Sequence, residues 1–63
     1  MTPEAIKDFY EERIAIMHHD GNVPLVDATE GARLETIERA LKAGVKYSEI
    51  CAAIYKAKHN PTL

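Results

Sequence analysis

Helix breakers stand in three places along this chain. Gly21-Asn22-Val23-Pro24 comes after the first stretch, Gly44 after the second, and Asn60-Pro61 after the third. Between them apolar residues recur at a helical period, and no segment alternates with period two for long enough to form a strand. The partition predicts an all-α fold, a small three-helix bundle built on an αα-hairpin. Its helices are expected over about 3–18, 24–43 and 47–58, in one domain spanning 1–63.

A chain of 63 residues allows one small core and no large cavity. It buries roughly 60% of its unfolded surface, and apolar burial then nearly offsets the loss of chain entropy. Stability must come from capping, tight packing or a partner subunit. The size points away from a self-contained enzyme.

Thr2 is placed to cap the first helix, Pro3 suits its first position, and Glu4 favours the positive end of its dipole. Ile6, Phe9, Tyr10, Ile14, Ile16 and Met17 fall on one side of it. Gly21 is expected to supply a left-handed stop. The second helix begins at Pro24 as its first residue or at Ala28 behind an Asp27–Glu30 capping box. The longer version sets Val26 in line with Leu34, Ile37 and Leu41 as the buried stripe. Gly31 inside it marks either the close approach of a neighbouring helix or a defect costing about 1 kcal/mol, and Glu35–Arg39 and Glu38–Lys42 have the spacing of exposed ion pairs. In the third helix Tyr47, Ile50, Cys51, Ile54 and Ala57 form the apolar stripe, Lys56 and Lys58 suit the negative end of the dipole, and Asn60-Pro61 stops it.

Chemistry-bearing patterns are sparse. Adjacent His18 and His19 point about 100° apart, which does not suit a metal, so His18-His19-Asp20 reads as a solvated helix end. Cys51 cannot form an internal disulfide, being the one cysteine. On an apolar stripe it is expected to be a core thiol. Ser48 reads as a helix-start residue, and no glycine-rich phosphate loop is present. No cofactor, metal or catalytic residue is assigned. The formal net charge of -2 argues against a nucleic-acid-binding domain, which usually carries a basic excess. There is no apolar run of membrane-spanning length and no signal-peptide pattern, so a cytoplasmic location is expected.

Two local patterns resemble known elements. Ala40, Gly44, Val45 and Ile50 have the spacing of a helix-turn-helix, and Ala43 to Ile50 resembles the "G-V-S-Y-x-E-I" phrasing of DNA-binding regulators. Arg39 stands where such motifs have an apolar residue, and the second phrasing puts a recognition helix near Asn60. Separately, the run Phe9-Tyr10-Glu11-Glu12-Arg13-Ile14-Ala15-Ile16, followed by Asp20-Gly21, resembles an "F/Y-E-E-R-A-A-I … D-G-G" element of phage and bacterial mobile-element proteins. Ile14 replaces the usual alanine and Asn22 the second glycine. The resemblance covers about residues 8–35. It implies a phage-type setting and a compact helical hairpin, and carries no active-site residues.

The expected function is non-enzymatic: a phage or bacterial regulator or inhibitor, anti-CRISPR-like in style, that binds a protein, such as a host nucleic-acid-handling protein, or a second copy of itself. Its contact residues are expected among Phe9, Ile16 and Tyr55 at stripe edges and the acidic Glu4, Asp8, Glu11 and Glu12 of helix one. The alternative is a helix-turn-helix DNA-binding regulator contacting DNA through Lys46, Tyr47, Ser48, Ala52, Tyr55 and Lys56, none of which is an arginine or asparagine suited to bidentate base contact. Arg13 and Glu30 both fall inside apolar stripes. If the hairpin reverses at Gly21-Asn22 they face each other, with Met17 opposite Val26 and Phe9 opposite Leu34, and should form a structural ion pair.

Overall fold

The computed structural model describes residues 1–59 and has three helices: α1 Pro3–Ala15, α2 Leu25–Lys42 and α3 Tyr47–His59. Each packs against the other two. The helical stop expected at Asn60-Pro61, and a recognition helix starting near Asn60, lie outside the described residues.

The start of α1 is as its sequence dictates. Thr2 is extended, and its Oγ1 accepts a hydrogen bond from the Ala5 N–H at 3.1 Å ahead of Pro3 and Glu4. The end differs from expectation. The α-geometry stops at Ala15, and Ile16–Asp20 widen into a π-helical turn. There the Gly21 N–H bonds to Ile16 O and the Val23 N–H to Met17 O, at 3.1 and 3.0 Å. Gly21 is not the left-handed residue. It stays right-handed at φ -92, and Asn22 takes φ 54 instead. Asparagine tolerates that conformation better than other non-glycine residues. His18 Nδ1 donates to Val23 O at 2.9 Å and clasps the turn from inside.

The hairpin register consequently moves. Arg13 Nε binds Glu35 Oε2 at 2.7 Å. The Arg39 guanidinium lies over the Phe9 ring, 5.7 Å from its centroid, and a Cβ added to Gly31 would meet Met17 Sδ at 3.2 Å. All three contacts are symmetric about Pro24. The expected Arg13–Glu30 pair does not form, nor do the expected Met17–Val26 and Phe9–Leu34 facings. The π-helical turn and the extended link behind it lengthen the connection, so reversal comes later than Gly21-Asn22. Glu30 instead pairs along its own helix with Arg33, which holds its carboxyl below the usual carboxylate range. Of the two exposed pairs expected on α2, Glu38–Lys42 forms at 3.4 Å, whereas Glu35 is taken by Arg13.

The core is built from a few large side chains and many small ones. Ile6 and Tyr10 of α1 and Ile50 and Ile54 of α3 supply its bulk. From α2 come Ala28, Ala32, Thr36 and Ala40, four residues apart, and Ala53 and Ala57 complete α3. Small residues at four-residue spacing leave a shallow groove that lets neighbouring helices approach closely. Thr36 is wholly buried, and its hydroxyl is satisfied by donating to Ala32 O at 2.6 Å. The expected α2 stripe is therefore wrong: Val26, Leu34 and Leu41 are exposed, and only Ile37 packs partly against the core. Cys51 is also exposed and not a core thiol, and Tyr47 beside it is exposed too.

The corner between α2 and α3 is closed by a Schellman motif. Val45 N–H bonds to Ala40 O and Gly44 N–H to Leu41 O, both at 3.0 Å, with Gly44 left-handed at φ 87. Ala40 and Ile50, the expected helix–helix contact of the corner, are both wholly buried.

One core group lacks a partner among the described residues. The Tyr10 hydroxyl is buried without a hydrogen bond, and burial pushes the phenol's pKa up. Leaving such a group unsatisfied costs about 1–3 kcal/mol. Tyr10→Phe is thus expected to stabilise the fold by about 1 kcal/mol in urea melts. A phenol whose pKa is raised on folding stabilises fully below its unfolded value, near 10.0, and loses that contribution as pH rises through the folded value. Tyr10→Phe should therefore soften the loss of stability above about pH 10. A variant less stable than the parent at neutral pH would mean that the hydroxyl has a partner in solution.

Candidate interaction surface

Leucine is ordinarily a core residue, but every leucine among the described residues stands outside. Leu25 is 54% exposed, Leu34 55% and Leu41 49%. Leu34 and Leu41 lie with Ile37 along one line of α2, spaced three and four apart, which keeps them on one stripe. On α3, Tyr47 and Tyr55 are 55% and 64% exposed, with Cys51 between them. The two lines adjoin. A notch of about 170 Å³ between the helices is lined by Arg33 and Ile37 of α2 and by Cys51, Ile54, Tyr55 and Lys58 of α3.

Polar groups frame this face. Arg33 is held by Glu30. The Tyr47 phenol is kept above its ordinary pKa first by hydrogen bonding and charge at Cys51, then by burial. Tyr55 and His59 stack at 4.1 Å between centroids, which holds the Tyr55 ring at the rim. The arrangement has half-open apolar side chains in the middle and charged heads around them.

The residues singled out from the sequence are distributed differently. Phe9 is half-buried in a groove between α1 and α2 with Arg13, Glu35 and Arg39. Ile16 is exposed in the π-helical turn, and Tyr55 is exposed on the far side of α2. These three do not share one surface. The acidic residues Glu4, Asp8, Glu11 and Glu12 do share one side of α1, with Glu11 half-buried in a groove beside Tyr10 and Glu4 in another beside Ala53 and Lys56 of α3. Lys46, Tyr47, Ser48, Ala52, Tyr55 and Lys56 are all exposed on or just before α3.

Leu34, Leu41 and the exposed position of Cys51 are what the sequence reading missed. A signal existed in the two rival stripes of α2, leucine-rich and alanine-rich. No group of three or more His, Cys, Asp or Glu side chains that could hold a metal ion is found among the described residues. No described helix is long and apolar enough to cross a membrane. Compared with protein-family models, curated proteins and solved structures, the chain matches none.

Proposed function

We propose that this chain is a non-enzymatic interaction module whose working surface is the α2–α3 face. The observation that carries the reading is the outward placement of Leu34 and Leu41, with Tyr47 and Tyr55 exposed on α3, while α2 turns only alanines and Thr36 to the core. A short chain with little apolar volume to spare leaves leucines outside where another macromolecule covers them. Action by occupying a partner's surface suits a small regulator or inhibitor. The resemblance of residues 8–35 to phage and mobile-element proteins supports a host protein as the target.

The test is affinity capture from a bacterial lysate with the parent chain and with a Leu34→Lys/Leu41→Lys variant. The parent is expected to retain a specific protein that the variant loses. Equal capture by both would overturn the reading. The helix-turn-helix alternative is favoured by one observation, the exposure of Lys46, Tyr47, Ser48, Ala52, Tyr55 and Lys56 behind a tight Gly44 corner. It requires duplex DNA binding that weakens steeply with salt and is lost in Lys46→Gln/Lys56→Gln.

A further inference from the structure

We infer that the α2–α3 face is covered by a second copy of this chain, with the two α2 helices antiparallel across a two-fold axis. The inference rests on the reading of that face as an interaction surface, and it names the occupant. Area comes first. Leu34, Leu41, Tyr47 and Tyr55, each about half open or more, together leave on the order of 400 Å² of side chain uncovered. A standard interface covers about 800 Å² per partner, a little over half of it apolar, and so needs roughly 450 Å² of apolar surface. The face supplies about what one copy needs from the other.

Geometry and charge choose the partner and its direction. A two-fold interface must be complementary to itself. The line Leu34, Ile37, Leu41 is nearly symmetric about its own middle. In an antiparallel crossing Leu34 of one copy meets Leu41 of the other, and Ile37 sits beside the axis. The exposed ends of α2 differ in sign, with Asp27 and Glu30 near the start and Lys42 at the end, followed by Lys46. Antiparallel packing brings acid to base at both ends, whereas parallel packing sets like against like. Glu38, which lies next to the axis, is held by Lys42 of its own helix at 3.4 Å, so its two copies do not meet unpaired, and Glu30 holds Arg33 nearer the rim. The acidic side of α1 points away from this contact.

Sedimentation velocity of the full chain from micromolar to millimolar concentration reads the inference directly. A rise to the dimer mass is expected. Leu34→Lys/Leu41→Lys should weaken association at least tenfold while helicity is kept, because both side chains are half exposed. Direction is read by oxidative cross-linking in a Cys51→Ser background, which also avoids dependence on the folding of the lysine variant. Glu38→Cys, next to the axis, should link to its own copy, and Val26→Cys, far from it, should not. Three results would overturn the inference: a monomer at every concentration, a dimer indifferent to both lysines, or self-linking at Val26→Cys instead of Glu38→Cys. A monomer whose lysine variant still loses a captured protein defeats only the second copy and leaves the surface reading standing. A dimer and a lysate capture both indifferent to the lysines defeat the two together.

Discussion

Truncating Ile50 to alanine is expected to cost about 3 kcal/mol, and truncating Leu41 less than about 1 kcal/mol. Ile50 is wholly buried in the centre of the core, against Ala40 across the α2–α3 corner. Its loss removes transfer energy and leaves a cavity that rigid helices cannot close. A domain of this size has about 3–9 kcal/mol of stability in all, so Ile50→Ala should remove at least a third of it and lower the midpoint of a urea melt by that share or more. Leu41 is 49% exposed, and its truncation removes contacts on one side only. The comparison should be made at low micromolar concentration, where a second copy contributes least. Equal costs at the two positions would mean that Leu41 is buried in solution and that the α2 face is turned.

Much of the architecture is legible in the residues. Thr2, Pro3 and Glu4 announce the start of α1. Gly44 with Val45 announces a helix end, because a left-handed glycine followed by an apolar residue is what a Schellman motif requires. The three-helix division and the approximate bounds of α2 and α3 follow from such punctuation. The choice of face on α2 does not. Hydropathy ranks leucine above alanine, so the Leu34–Ile37–Leu41 line looks like the core and the Ala28–Ala32–Thr36–Ala40 line looks neutral. What decides between them is volume. Tyr10, Ile6, Ile50 and Ile54 already fill the centre, and only small residues fit where α2 meets both other helices. That information sits on α1 and α3, outside any window drawn along α2.

The same non-locality explains Cys51 and Arg13. Cys51 lies one position beyond Ile50 and three before Ile54, so a helical wheel admits it to the stripe. The core takes Ala53 and Ala57 instead, and the rotation of α3 turns Cys51 outward. The expected Arg13–Glu30 pair fails for the same reason: which carboxylate Arg13 meets depends on where the hairpin reverses, and Glu35 stands there instead. The π-helical turn at Ile16–Asp20 and the left-handed Asn22 set that point, and His18, which clasps the turn, gives no periodic signal. The candidate surface is legible only in part: its place at a stripe edge exposes Tyr55, whereas hydropathy puts Leu34 and Leu41 in the core.

Ala32→Leu should abolish cooperative folding or cost at least about 3 kcal/mol, and it decides directly between the two faces of α2. Alanine and leucine differ little in helix propensity, so the substitution changes almost nothing within α2 itself. What changes is the space between helices. Ala32 is wholly buried in the cluster that holds Ile6, Tyr10 and Ile50, and three further carbons there must displace a neighbour or push α2 away. Overpacking of this kind usually costs 1–3 kcal/mol and occasionally more. The larger loss is expected because Ala28, Thr36 and Ala40 fix the same close approach along the whole helix, so a local bulge cannot be absorbed by tilting one end. The outcome to measure is the near-ultraviolet dichroism of the tyrosines together with the urea midpoint. A chain with helical content but no tyrosine signal would show that the helices form while their packing is lost. If the leucine line were the buried one, Ala32 would face solvent, Ala32→Leu would leave the midpoint within about 0.5 kcal/mol of the parent, and Leu34→Ala would carry the large cost instead.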